Sequence, residues 1–107
     1  QLEQLDSFLI EKRNLAIEYA NYFSARGIQF RKEQPNTKAN YWLMSIEMDN
    51  KKDRDLFLKE TNGNSVMTRP IWQLIFKSSL YSNFQRDGQK NALFLEDRIV
   101  NIPSSAR

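Results

Sequence analysis

The chain contains no cysteine and no histidine in its 107 residues, and only three glycines and three prolines. Without cysteine there is no disulfide framework, no thiolate nucleophile and no thiolate-ligated zinc. Without histidine the commonest general base is missing, as are the nucleophile pairs that depend on imidazole and most transition-metal sites. Any catalysis would have to draw on carboxylate, lysine, tyrosine or a cofactor. Gly27, Gly63 and Gly88 stand alone as turn residues, so no glycine-rich loop can aim a row of backbone N–H groups at a phosphate. No apolar run approaches the roughly 18–20 residues that cross a bilayer, and no charged leader precedes an apolar stretch. The chain reads as soluble and cytoplasmic, with no membrane partner.

What is present suits one domain. Hydrophobic residues make up 40% of the chain, and 16 basic residues against 13 acidic ones leave a net charge of +3. A chain of this size should bury about 60–65% of its unfolded surface around a single core. The charges are mixed along the sequence, which describes a solvated surface and not a basic tract. Phe30-Arg31-Lys32 with Tyr41-Trp42 is the nearest approach to aromatics interleaved with bases. Trp42 alternates with Met44, Ile46 and Met48, which assigns it to a core, so no nucleic-acid partner is expected. The chain begins at Gln1 inside what reads as an established helix, and is expected to be a piece of something longer.

Leu5, Phe8, Leu9, Leu15, Ala16, Tyr19, Ala20 and Phe23 recur at helical spacing and predict an amphipathic helix over residues 2–26, stopped by Gly27. Ile28–Phe30 alternates as a short strand, and Arg31–Ala39 is a connecting loop. Asn40–Asp49 is the clearest strand, with Trp42, Met44, Ile46 and Met48 on its apolar side. Asp49 or Asn50 caps a helix over Lys51–Thr61 that buries Leu56 and Phe57, and Asn62-Gly63-Asn64 ends it. Val66–Arg69 is a short strand, and Pro70, lacking a donor, takes the chain out of the sheet. Ile71–Tyr81 is apolar without a clean period, which predicts a packed, irregular or partly helical segment. Gln85–Asp97 reads as a helix and Ile99–Ile102 as a final strand. This order predicts an α+β two-layer sandwich.

Asp53 with Asp55 and Glu96 with Asp97 are paired carboxylates, but both pairs fall on helix surfaces where solvation is the simpler reading. No spacing of acidic residues suggests a metal site, and no residue is assigned as catalytic. The run Ser65-Val66-Met67-Thr68-Arg69-Pro70-Ile71-Trp72 is more informative. Arg69 carries a planar donor fork suited to phosphate or carboxylate, Pro70 stiffens the backbone beside it, and Trp72 offers a flat apolar face.

Taken in order, Asn40-Tyr41-Trp42-Leu43, Val66-Met67-Thr68-Arg69-Pro70-Ile71-Trp72 and Val100-Asn101-Ile102-Pro103-Ser104-Ser105 resemble the C-terminal part of DegT/DnrJ/StrS-type sugar aminotransferases, and most of all the LegC-like subgroup. The resemblance covers nearly the whole chain. It implies the small C-terminal domain of a fold type I transferase, residues 1–107, with a short, mostly antiparallel sheet packed by helices. It further implies pyridoxal phosphate in the full-length enzyme, bound by a large domain that also supplies the Schiff-base lysine; no cofactor is expected on these residues alone. The implied partners are a nucleotide-linked keto-deoxysugar and an amino donor, usually glutamate, in a homodimer. Arg69 and Trp72, with Asn101 and Ser104, are the expected substrate contacts; Tyr41 and Trp42 are expected in the core. Phe76 stands near where many relatives have histidine, and Ser78-Ser79 where proline is frequent. The alternative is a stand-alone α+β interaction module without a catalytic role.

Overall fold

The computed structural model describes residues 2–105, and its architecture is α+β. After a 3-10 turn at Leu2–Gln4 come α1 (Leu5–Ser24), β1 (Gln29–Phe30), β2 (Met44–Glu47), α2 (Lys51–Gly63), β3 (Arg69–Pro70), a second 3-10 turn at Ile75–Lys77, α3 (Lys90–Glu96) and β4 (Ile99–Ile102). The strands form one sheet in the order β1-β2-β4-β3, every neighbouring pair antiparallel. The last strand in sequence thus lies inside the sheet, between β2 and the edge strand β3.

Helix α1 stops as its sequence dictates. Gly27 adopts a left-handed backbone at φ 71°, which lets the Ile28 N–H reach back to the Phe23 carbonyl at 3.0 Å. Helix α2 starts on Asn50, whose side-chain oxygen accepts the Asp53 N–H at 3.0 Å while its amide donates to the Asp53 carboxylate at 2.7 Å. Alternation along β2 and β4 then sends Met44, Ile46, Val100 and Ile102 to one side. There they meet Phe30 of β1 and Leu15, Ala16, Ala20 and Phe23 of α1, with Phe57 and Leu58 of α2 packed alongside. Ile46 and Val100 are register partners and both are fully buried, marking the centre of the core.

Several boundaries differ from the sequence expectation. The strand expected over Asn40–Asp49 is confined to Met44–Glu47, because Tyr41 takes a left-handed backbone at φ 50° and turns the chain before the ladder begins. Trp42 is consequently 70% exposed and not in the core, whereas Tyr41 packs partly against it. Pro70 stays in the sheet, opposite Val100: the Ile71 N–H still meets the Ile99 carbonyl at 3.3 Å, and antiparallel alternation turns the proline nitrogen to the unpaired edge. Val66–Thr68 precede the ladder instead of forming part of it. Leu56 is exposed, and Leu58 takes its expected place beside Phe57. The expected helix over Gln85–Asp97 contracts to Lys90–Glu96, since Gln89 sits at φ 49° and cannot belong to a right-handed helix. The apolar segment after β3 is irregular with one 3-10 turn, as expected, but only in part packed: Ile71, Leu74 and Phe76 are half-buried, while Trp72, Ile75, Leu80 and Tyr81 are exposed, as is Phe84 beyond it. The N-terminal part of α1 also leaves Leu5 and Phe8 in solvent. Twenty helical residues run about 30 Å, more than twice the reach of a four-residue strand, so one end of α1 overhangs the sheet.

Candidate functional site

The run that carries Arg69 is anchored by a small polar cluster at the end of α2. Thr68, just before β3, is buried, and its hydroxyl lies 2.6 Å from the Thr61 hydroxyl. The Asn62 amide donates to the Thr68 hydroxyl at 2.9 Å and to the Thr68 carbonyl at 3.1 Å. The Asn62 oxygen is thereby turned toward Arg69, whose Nη1 donates to it at 3.3 Å and to the Thr68 carbonyl at 3.1 Å. Nε and Nη2 of Arg69 have no acceptor among the described residues, so part of the donor fork is free on an exposed edge. Sequence reasoning missed this cluster. No local pattern marks Thr68 as inward, since Val66, Met67, Arg69 and Pro70 around it are all exposed.

Arg69 and Asn101 are register partners across β3 and β4. Asn101 is also opposite Ser45, whose hydroxyl donates to its side-chain oxygen at 2.7 Å, leaving the Asn101 amide uncommitted among the described residues. Trp72 lies just past the edge strand, 67% exposed, on the Ile99 side. Ser104 is at the opposite end, past Ile102. Its hydroxyl donates to the Trp42 carbonyl at 2.8 Å and its own carbonyl accepts from the Lys12 ammonium, so it fastens the terminal segment to the loop before β2. The structure therefore groups Arg69, Asn101 and Trp72 around the β3 end of the sheet. Ser104 lies toward the other end of β4, three residues or roughly 10 Å of extended chain beyond Asn101 and with its hydroxyl committed to the Trp42 carbonyl.

Glu96 corrects a second expectation. It was expected on a solvated face but is only 7% exposed, one helical turn from half-buried Ala92. One carboxylate oxygen accepts the Leu74 N–H at 2.8 Å, and the other accepts from the Lys77 ammonium. Burial pushes this carboxyl upward, but the Lys77 and Leu74 hydrogen bonds outweigh it and hold the group below the usual glutamate range. By contrast, Asp55 is exposed and paired with Lys51 and Arg54, as a solvated helix face requires.

The loop before β2 is more than a connection. Arg13 of α1 makes a two-pronged contact with Glu33, both bonds 3.2 Å, and donates to the Ala39 carbonyl at 2.8 Å. Glu33 is held below its ordinary value chiefly by Arg13 and next by the Ala39 N–H. No group of acidic side chains among the described residues could hold a metal ion, and no described helix is long and apolar enough to cross a membrane.

Comparison with known proteins places this geometry. The chain is 28% identical over 110 residues to GDP-perosamine synthase of Vibrio cholerae, covering 97% of this chain and 29% of that protein. It is 29% identical over 107 residues to GDP-perosamine synthase of Escherichia coli O157:H7, again covering 97% of this chain, and 28% of the relative. The chain thus spans less than a third of the length of these curated relatives. Its fold matches the aminotransferase TlmJ from Streptoalloteichus hindustanus with a TM-score of 0.86, at 19% identity over 98% of this chain and 28% of that one. A family profile matches residues 1–107 from end to end. The chain belongs to the DegT/DnrJ/EryC1/StrS aminotransferase family.

Proposed function

We propose that these residues form the small C-terminal domain of a cytoplasmic, pyridoxal phosphate dependent nucleotide-sugar aminotransferase. The enzyme moves an amino group from an amino acid, glutamate, to a nucleotide-linked keto-deoxysugar of the kind used by the LegC-like subgroup, and works as a homodimer. The observation that carries this reading is an uncommitted guanidinium edge at Arg69 and a mostly exposed indole at Trp72, three residues apart at the rim of a sheet, in a member of this family. A partly free donor fork suits phosphate, and a bare indole suits the apolar face of a sugar. Asn101, with a spare amide, completes the contact; Ser104 shapes the far end through Trp42 and Lys12.

The described residues do not by themselves fit a pyridoxal phosphate site. The glycines are isolated, so no glycine-rich loop can aim backbone N–H groups at a phosphate; Lys12, Lys51 and Lys77 are each tied to oxygen acceptors, and Lys32, Lys38, Lys52, Lys59 and Lys90 are exposed on the surface. The cofactor and its lysine belong to the rest of the enzyme. Exposed Leu5, Phe8, Ile75, Leu80 and Phe84 fit a surface that packs on that remainder.

The test is the full-length protein, assayed with pyridoxal phosphate and glutamate against a panel of GDP-, UDP- and CMP-linked keto sugars. Transfer to one of them, with KM for the sugar raised about tenfold or more by Arg69→Ala and by Trp72→Ala, is the expected result. Amino transfer that neither variant alters would reject these contacts; no transfer to any keto sugar, together with stoichiometric aldimine formation on this domain alone, would reject the whole reading.

A further inference from the structure

We infer that Glu96 is a positioning residue for the sugar substrate, acting through Leu74 and Lys77 to set where the Trp72 indole stands at the sheet edge. The inference rests on the reading above, in which Trp72 faces the substrate.

The segment after β3 is only partly anchored by burial, with Ile71, Leu74 and Phe76 half-buried. Trp72 and Ile75 are each 67% exposed, so apolar packing does not decide their place. The segment's other holds are polar and few. The Ile71 N–H meets the Ile99 carbonyl at 3.3 Å at one end. At the other, both ends of the 3-10 turn converge on a single carboxylate: Leu74, just before the turn, gives its N–H to Glu96 at 2.8 Å, and Lys77, its last residue, gives its ammonium. The turn is closed on itself by the Lys77 N–H on the Leu74 carbonyl at 3.0 Å, so it moves as one piece with that carboxylate. Trp72 stands between the two holds, two residues from Leu74.

Glu96 is itself fixed. It lies in the last turn of α3, its side chain 8% exposed, and its backbone carbonyl accepts Nη1 of Arg54 from α2 at 2.5 Å. A carboxylate is disfavoured at a helix C-terminus and again by removal from water. Its charge is tolerable there because Lys77 and the Leu74 N–H meet it, which ties the geometry of the carboxylate to theirs. Among the described residues the hydrogen bonds of this carboxylate go to the Trp72 segment, and its backbone is held by α3 and by Arg54 of α2, so it is built to hold that segment.

The experiment uses the complete holoenzyme with Trp72→Ala, Glu96→Ala, Glu96→Gln, Lys77→Met and the Glu96→Ala/Trp72→Ala double variant. Glu96→Ala and Lys77→Met are expected to raise KM for the nucleotide sugar about tenfold, while KM for the amino donor stays at the wild-type value. Glu96→Gln keeps an acceptor for the Leu74 N–H and should fall between them and wild type. The double variant should be no worse than Trp72→Ala alone, because both changes remove the same contact. If the alanine enzyme does not fold, Glu96→Gln and Lys77→Met decide. Trp72→Ala raising the sugar KM while Glu96→Gln and Lys77→Met leave it unchanged would overturn the inference. So would parallel losses in both KM values and in the amount of folded enzyme, which would make Glu96 a brace only. If Trp72→Ala itself leaves the sugar KM unmoved, the substrate reading of Trp72 fails first and this inference with it.

Discussion

On the side of the sheet covered by α1, Met44, Ile46, Val100 and Ile102 meet Leu15, Ala16, Ala20 and Phe23 with almost no solvent access, whereas beyond the β3 edge Trp72, Ile75, Leu80 and Phe84 remain in water. The first region is held by non-directional burial, which stabilises strongly but specifies position only through packing. The second is held by a few directional contacts, those of Asn62 with Thr68 and Arg69 and those of Glu96 with Leu74 and Lys77. A domain that must keep its fold while presenting apolar side chains to something else benefits from this division. Bulk stability stays on one side, and placement on the other is left to hydrogen bonds.

The division is broken most easily at its strongest point. Ile46→Ala removes fully buried atoms facing Val100 and is expected to cost about 2–5 kcal/mol in urea unfolding, while Trp72→Ala should cost less than about 0.5 kcal/mol. Equal costs would mean that the indole is a core residue, and the contrast between the two regions would fall. Thr68→Val tests the polar side at similar shape. It strips a hydroxyl that meets both Thr61 and Asn62 and should lower stability by about 1–2 kcal/mol, read as a shift in urea midpoint at constant slope. An unchanged midpoint would show that the cluster below Arg69 does not anchor β3. Asn50→Ala sharpens the comparison by touching neither region: loss of the α2 cap should cost about 1 kcal/mol, and Asn50→Gly only a few tenths.

What was legible in the sequence follows the same division. Both central strands, the long helix and the stop at Gly27 could be read because burial imposes a period and a left-handed turn calls for glycine. Asn50 announced itself as a cap for the same local reason. Trp42 was misplaced because an alternating run says nothing about where a ladder ends, and left-handed Tyr41 is not a residue type that advertises a turn. Leu56, Ile75, Leu80 and Tyr81 read as packed because large apolar side chains are ordinarily inside. Here the sheet is too small to cover them. On the site, the motif spacing located Arg69 and Trp72 in the chain, and their exposure is what the expected contacts require. Thr68 and Glu96, which hold them, were missed: a polar residue is read as solvated by default, and its burial depends on partners 6 to 22 residues away, beyond any local pattern.

The smallest effect expected separates half-buried from buried charge. Glu33 and Glu96 are both held below the ordinary glutamate range, Glu33 by Arg13 in a half-buried fork and Glu96 by Lys77 against the pull of burial. A depressed folded-state value means that each adds stability above the ordinary glutamate value and loses it as pH falls through its own lowered value. Each Glu→Gln variant should therefore lower the stability curve by a constant amount at neutral and alkaline pH and flatten its fall on the acid side. Salt distinguishes them. Salt screens accessible charge within about 10 Å at 0.1 M ionic strength, so the flattening caused by Glu33→Gln, whose side chain is 29% exposed, should shrink more as salt is added than that caused by Glu96→Gln, whose side chain is 8% exposed. Thermal melts across the acid range at low and high salt measure both. Identical salt dependence in the two variants would show that the Glu96 carboxylate is solvated after all, and the clamp on the Trp72 segment would lose the burial that makes it rigid.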